Sequence, residues 1–214
     1  MAIKKGKDIS NSKKIWNVLR YGLFFLVVRN KLAQIGLNIK PYYWVQEEVE
    51  KCKEPAIKGD PSKYILKYFG PKEIEIISKG FPSAIEKENL KLLNKGNLCI
   101  GLIYNSEIAA YTFIEFNDFV YNHRTFKLKD NEAYLFNMYT IHSFRHRNLA
   151  AYLRYQCYQL LKDKGIDTKY SLTEYFNNSS IKFKKKLNSK HLNLYLYIEL
   201  FKKYHWNFLL RKYK

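Results

Sequence analysis

Ile141-His-Ser-Phe-Arg145-His146-Arg147-Asn148-Leu149-Ala150 is the stretch on which the reading of this chain turns. Before it runs Ala133-Tyr-Leu-Phe-Asn-Met-Tyr-Thr-Ile141, rich in aromatic and β-branched residues, which predicts a strand. After it, Leu149, Leu153, Cys157, Leu160 and Leu161 recur on one helical face, and Gly165 closes the helix. A strand therefore enters a loop holding two arginines, and a helix begins at once. A helix N-terminus presents unpaired backbone N–H groups and a partial positive charge. Arg145 and Arg147 add charge-assisted donors. On physics alone this is an anion site, most naturally for a pyrophosphate.

Working outward, Leu98–Ile103 and Ile108–Phe116 read as two strands joined by the polar turn Asn105-Ser-Glu107. Residues 117–132 are polar and read as a loop. Pro82–Asn94 reads as a helix, with Pro at its start and Gly96 just past its end. Residues 51–81, interrupted by Pro55, Pro61, Gly70, Pro71 and Gly80, read as short helices and loops. Pro41–Gln46 reads as a strand, and 13–35 as a helix ending near Gly36. Downstream, Lys169–Thr173 is a short strand and 179–187 a short, very basic helix with a solvated face. Leu192–Ile198 and Trp206–Leu210 are strands joined by Phe201–His205. The order is α+β with a parallel crossover at its centre.

Arg145-His-Arg-Asn148-Leu-Ala150 resembles the R-x-x-G-x-G/A signature of the GNAT family of N-acetyltransferases. Asn148 stands where that signature has its middle glycine; Asn is the side chain that best tolerates a left-handed backbone. A second segment, Asn177-Asn-Ser-Ser180-Ile-Lys-Phe183-Lys-Lys-Lys186-Leu187-Asn188-Ser189, resembles the family's downstream N-x-x-S/A, helix, K-L-G-F pattern, with Asn188-Ser189 in place of G-F. The resemblance covers residues 97–200. It implies an α/β/α sandwich with a mixed, mostly antiparallel sheet. A splayed parallel pair, here 133–141 and 168–173, lies at its centre, with helices on both faces.

The resemblance also implies acetyl-CoA as acyl donor and direct transfer to an amine. Backbone groups around Asn137, Met138 and Tyr139 would hold the pantetheine arm, with Ile141 also counted among the cofactor-binding residues. Arg145, His146, Arg147, Asn148, Leu149 and Ala150 would cradle the pyrophosphate, with Asn177, Ser180 and Phe183 completing the site. It implies a carboxylate base or a water relay, and the strand ends offer Glu115, Glu132 and Glu174, in that order. The family's general-acid tyrosine falls on Lys184, which leaves Tyr139 and Tyr175 as substitutes.

Composition sets the limits. The 214 residues are 47% hydrophobic with a mean hydropathy of -0.42, enough to bury a core. Lys and Arg number 38 against 19 Asp and Glu, for a net charge of +19. Residues 1–53 carry +7 and 179–214 carry +9, while 54–140 are balanced. We divide the chain into a basic helical extension, 1–40, and an acyltransferase domain, 41–214. The charge points to an anionic acceptor, such as an amino sugar of cell-envelope or polysaccharide synthesis, and to an anionic membrane surface beneath the extension. A homodimer interface is a further use for that helix. The alternative is a catalytically degenerate module that binds nucleic acid or a membrane through its basic ends.

Three cysteines far apart in sequence give neither a disulfide framework nor a C-x-x-C motif, which favours a cytoplasmic setting. An inner-membrane-surface location fits the extension. The apolar run Tyr21–Val28 is too short for the roughly 20 residues of a membrane span, and no signal peptide precedes it. His142 and His146 lack a third ligand nearby, so no metal is expected.

Overall fold

The computed structural model describes residues 24–78 and 83–213. Among these, ten strands occur in chain order. They are β1 (Leu37–Glu47), β2 (Tyr64–Phe69), β3 (Leu98–Tyr104), β4 (Glu107–Glu115), β5 (Phe119–Tyr121), β6 (Arg124–Phe126), β7 (Glu132–Thr140), β8 (Thr168–Glu174), β9 (Lys190–Leu200) and β10 (Tyr204–Lys212). The helices are α1 (Phe24–Gln34), α2 (Pro71–Ser78), α3 (Ser83–Asn94), α4 (Leu149–Asp163) and α5 (Asn178–Lys186). Eight strands form one sheet in the order β10-β9-β1-β8-β7-β4-β3-β2, and β5 and β6 form a separate hairpin. This is an α+β arrangement around a mixed sheet, as the resemblance implies.

Every neighbouring pair in the sheet is antiparallel except β7 with β8. That parallel pair holds over three residue pairs only, Glu132↔Thr168 to Tyr134↔Tyr170. Beyond it each strand follows its other neighbour. β8 stays with β1 as far as Tyr42↔Glu174. β7 stays with β4 through a register shift between Tyr111 and Phe113, and Asn137 takes a left-handed φ of 47° at the bulge. The two strands therefore part, and a wedge opens between them.

The core lies on both faces. Leu149, Leu153, Cys157 and Leu161 of α4 pack on Ile100, Leu102, Ile114 and Leu135. On the opposite face Ile74 and Ile77 of α2 pack on Phe69, Cys99, Tyr111 and Phe113. An aromatic cluster of Tyr42, Trp44, Phe126, Tyr134, Tyr195 and Tyr197 lies where the β5–β6 hairpin meets the sheet. No helix among the described residues is long and apolar enough to cross a membrane.

Three sequence expectations need correction. Residues 64–69 are a strand, not part of a loop; Tyr64 and Phe69 are buried at its ends while it pairs with β3 along its length. The 117–132 stretch contains the β5–β6 hairpin. Its turn, Asn122-His123, has both residues at positive φ, 47° and 59°, the same geometry as Asn105-Ser106 between β3 and β4. β1 begins at Leu37, so a border between residues 40 and 41 cuts a strand in the interior of the sheet. Of the helix expected over 13–35, the part before residue 24 lies outside the described residues. Gly36, at φ +90°, follows the end of α1, and a Cβ there would press on the Phe201 ring at 2.6 Å.

Candidate active site

Where β7 and β8 part, the N-terminal ends of α4 and α5 frame a cleft of about 720 Å³. The loop entering α4 makes a short 3₁₀ turn at His142–Phe144, after which Arg145 is extended. His146 and Asn148 then both take φ of 64°. Asn148 sits just before α4 in the left-handed region, and no side chain caps the helix. The first helical bond runs from Tyr152 N–H to Asn148 carbonyl at 3.2 Å. The N–H groups of Leu149, Ala150 and Ala151 thus precede the intrahelical ladder and are open to an anion.

Arg145 is exposed at the rim. Its guanidinium donates to the Tyr139 hydroxyl at 3.2 Å and to the Thr140 carbonyl at 3.3 Å. Asn177 caps α5, its Oδ1 accepting from Ser180 N–H at 3.1 Å. Asn188, where the family pattern has glycine, also takes a left-handed φ of 54°. It donates from Nδ2 to the Lys51 carbonyl at 3.2 Å. Asn therefore does the backbone work of glycine at both degraded positions.

A buried charge cluster forms one side of the cleft. Arg154 (2% exposed) and Lys184 (5%) line it, and Glu47 (1%) lies between them. Arg154 Nε and Lys184 Nζ each stand 3.4 Å from a Glu47 oxygen. Tyr158 donates its hydroxyl to Glu47 at 2.6 Å. Lys184 also donates to Ser171 Oγ and Thr173 Oγ1, both at 2.6 Å. Burial pushes the Glu47 carboxyl up, but Arg154 and Lys184, helped by hydrogen bonds from Ser171 and Tyr158, hold it below the usual range. Burial lowers the Lys184 ammonium to about 8, against the opposing pull of Glu47. Arg154 Nη1 is buried with no hydrogen-bond partner among the described residues. Two cations against one anion leave the cluster one positive charge in excess, which suits an anionic ligand.

Most residues expected to touch the donor do line the cleft: Asn137, Met138, Arg145, His146, Asn148, Leu149, Ala150, Asn177, Ser180 and Phe183. Three do not. Arg147 turns away, its guanidinium 5.0 Å over the Phe144 ring and bonded to the Tyr64 hydroxyl at 3.3 Å. Tyr139 and Ile141 instead line a separate hollow beside α2.

The carboxylates are dispersed. Glu132 sits at the closed end of the β7–β8 pair, taking the Tyr170 hydroxyl at 3.2 Å. Glu174 is ion-paired with Arg29 at 3.0 Å. Glu115 ends β4 and lines a hollow that shares Phe136 and Asn137 with the cleft. Tyr175 is half exposed and stacks on Tyr43 at 5.4 Å.

Arg154 and Lys184 line the cleft although neither is expected there from the sequence, in which the α5 lysines read as a solvated face. The signal was present: Ser180, Phe183, Lys184 and Leu187 share one helical face, and Leu187 is fully buried. Among the described residues no three His, Cys, Asp or Glu side chains gather as a metal site.

The fold agrees with the sequence profile of the acetyltransferase (GNAT) family, which matches residues 67–188. The chain belongs to that family. Among solved structures it is similar to a GNAT-family acetyltransferase from Colwellia psychrerythraea, with a TM-score of 0.57 and 12% identity over 78% of this chain and 59% of that one. It is also similar to a putative GNAT-family acetyltransferase from Novosphingobium aromaticivorans, with a TM-score of 0.51 and 16% identity over 77% and 66%. A tandem GNAT protein from the clavulanic acid biosynthesis pathway gives 0.52 and 11% over 82% and 55%. The chain thus spans little more than half of the first and third of these. No curated protein matches it in sequence.

Proposed function

We propose that the chain transfers an acetyl group from acetyl-CoA to an amine. One observation carries this reading: the uncapped, left-handed entry to α4 stands with Arg145 at the mouth of the β7–β8 wedge. Acetyl-CoA supplies an activated thioester. Arg145 and the first N–H groups of α4 hold its pyrophosphate. The β7 edge that faced β8 loses its partner after Tyr134, so backbone groups around Asn137 and Met138 are free to bind the pantetheine arm. The excess positive charge of Lys184 and Arg154 steadies the thiolate as the C–S bond breaks. Glu115, across β7 from the cleft, takes the proton from the amine, directly or through water.

Acetyl-CoA raises the melting temperature and gives a calorimetric binding isotherm; Arg145→Glu abolishes both. Absence of either response in the unaltered protein overturns the reading. The catalytically degenerate alternative rests on Asn148, Asn188 and the missing tyrosine acid; the two asparagines adopt the backbone that glycine would provide, while Lys184 stands at the tyrosine's place. Cytoplasmic residence and a membrane contact of the N-terminal segment belong to the same proposal. Liposome flotation after deletion of residues 1–36, which spares β1, tests the contact; unchanged flotation removes it. Net charge favours an anionic acceptor, but the lining of the second hollow supports a different class.

A further inference from the structure

Beyond β7 lies a hollow of about 810 Å³ that meets the donor cleft at Phe136 and Asn137. Its wall is aromatic. Phe119 stacks on Tyr134 at 3.9 Å and 11°, and Tyr134 on Phe136 at 5.2 Å and 5°. Tyr121 extends this surface. Glu88, Glu115 and Asp118 also line the hollow, with Lys95 as the single basic residue among the described ones. An excess of carboxylate in a chain of net charge +19 is local, not compositional.

The hollow's carboxylates and Asn97 present hydrogen-bond acceptors. Glu115 is held by N–H groups of Phe116 and Asn117 at 2.9 Å on Oε1, and its Oε2 has no hydrogen bond among the described residues. Asp118 Oδ1 accepts from Leu128 N–H at 2.8 Å. Asn97, 4% exposed, donates from Nδ2 to the Leu92 carbonyl at 3.1 Å. Its buried Oδ1 has no partner among the described residues. A buried acceptor without a donor is costly and is satisfied by a ligand that brings N–H. Aromatic faces attract organic cations and carboxylates attract ammonium groups.

We infer that this hollow receives the acceptor, and that the acceptor is a small amine carrying at least two positive charges. The inference rests on the acetyl-transfer reading above and replaces the anionic acceptor suggested by net charge. One ammonium lies toward Glu115 and Asn137, and a second charge toward Asp118 and Glu88. The reacting ammonium gives its proton to Glu115. The neutral amine nitrogen forms the C–N bond to the thioester carbonyl carbon, the C–S bond breaks, and the products are an acetamide, CoA thiol and one proton. The acceptor leaves with one positive charge fewer, so its hold on the hollow weakens as product forms.

The test uses the full chain, acetyl-CoA and three acceptors of equal length: 1,5-diaminopentane, 1-aminopentane and 5-aminopentanoate. Thiol release is followed and acetamide confirmed by mass spectrometry. The expected kcat/KM falls from diamine to monoamine to zwitterion, with the first step about tenfold, the weight of one good charge-assisted contact. In the Glu88→Gln/Asp118→Asn variant, with its melting temperature checked, the diamine-to-monoamine ratio collapses toward one. Equal use of all three, a preference for the zwitterion, or a ratio unmoved by the variant overturns the inference. If acetyl-CoA still protects the protein in any of these cases, only the acceptor class falls. If acetyl-CoA does not bind, the underlying reading falls with it.

Discussion

Replacing Glu47 by Gln keeps the side chain's size and removes its charge. Arg154 and Lys184, each 3.4 Å from a Glu47 oxygen, then face each other with no compensating carboxylate between them. Stranding a buried charge by removing its partner costs about 3–5 kcal/mol. In a chain of this size each kcal/mol moves the melting temperature by about 2–4 °C, so the expected fall is about 6–20 °C. Adding Lys184→Met removes one of the two stranded cations, and the double variant regains part of the loss. Lys184→Met alone leaves Glu47 and Arg154 as a one-to-one pair and costs less than Glu47→Gln.

The pH dependence of the same cluster has a fixed sign. Burial draws folded Lys184 down to about 8, below its unfolded value, so the unfolded chain binds the proton more tightly. Unaltered protein therefore gains stability relative to Lys184→Met as pH rises from about 8 toward 10. Differential scanning calorimetry of the four proteins near neutrality and at two alkaline values measures all of this. A Glu47→Gln melting temperature within about 2 °C of the unaltered protein refutes the reasoning, since the expected loss of about 3–5 kcal/mol moves it by at least about 6 °C. Additivity of the two substitutions refutes it equally.

Asn148→Val forces a β-branched residue into the left-handed region, costing about 1–2 kcal/mol, and weakens acetyl-CoA binding. Asn148→Gly retains binding while losing the 2.7 Å bond to the Ala56 carbonyl; urea unfolding and calorimetry separate the two. Gly101→Ala pushes a methyl group into the Phe69 ring and to within 2.8 Å of the Ala110 carbonyl, and urea unfolding shows a loss of about 1–3 kcal/mol. Thiol titration of the native protein counts Cys52 alone, because Cys99 and Cys157 are buried and burial raises their thiols; all three react once the chain is unfolded.

The strand, loop and helix around Arg145 were legible because each carried its own local signal. Aromatic density marked β7, leucine spacing marked α4, and Asn148 marked the left-handed step. What escaped depended on contacts made far along the chain. Tyr64–Phe69 lay hidden between Pro61 and Pro71, since only pairing with β3 marks it as a strand. Asn122-His123 turns a hairpin without the glycine that advertises one. Glu47 went unremarked because a register shift between Trp44 and Val45 interrupts the alternation that would assign it a face. Lys184 looked like its neighbours in a basic run, although only the helical face it shares with Leu187 is buried. The base is ambiguous in sequence because three glutamates end or begin strands; only in the fold does Glu115 line a hollow that adjoins the cleft.

β1 lies between β8 and β9 although most of the chain separates them: Tyr42 pairs with both Glu174 and Tyr195. During synthesis this strand leaves the ribosome well before β8 and β9, so its pairing waits until the intervening strands have been made. Strands β2, β3, β4 and β7 meet no such delay, since each pairs with one close by in sequence. The sheet is thus an early half and a late half, sutured by the three residue pairs between β7 and β8. Those strands are the ones whose parting makes the donor cleft. The wedge is the seam where strands paired to near neighbours in sequence meet those that close onto β1.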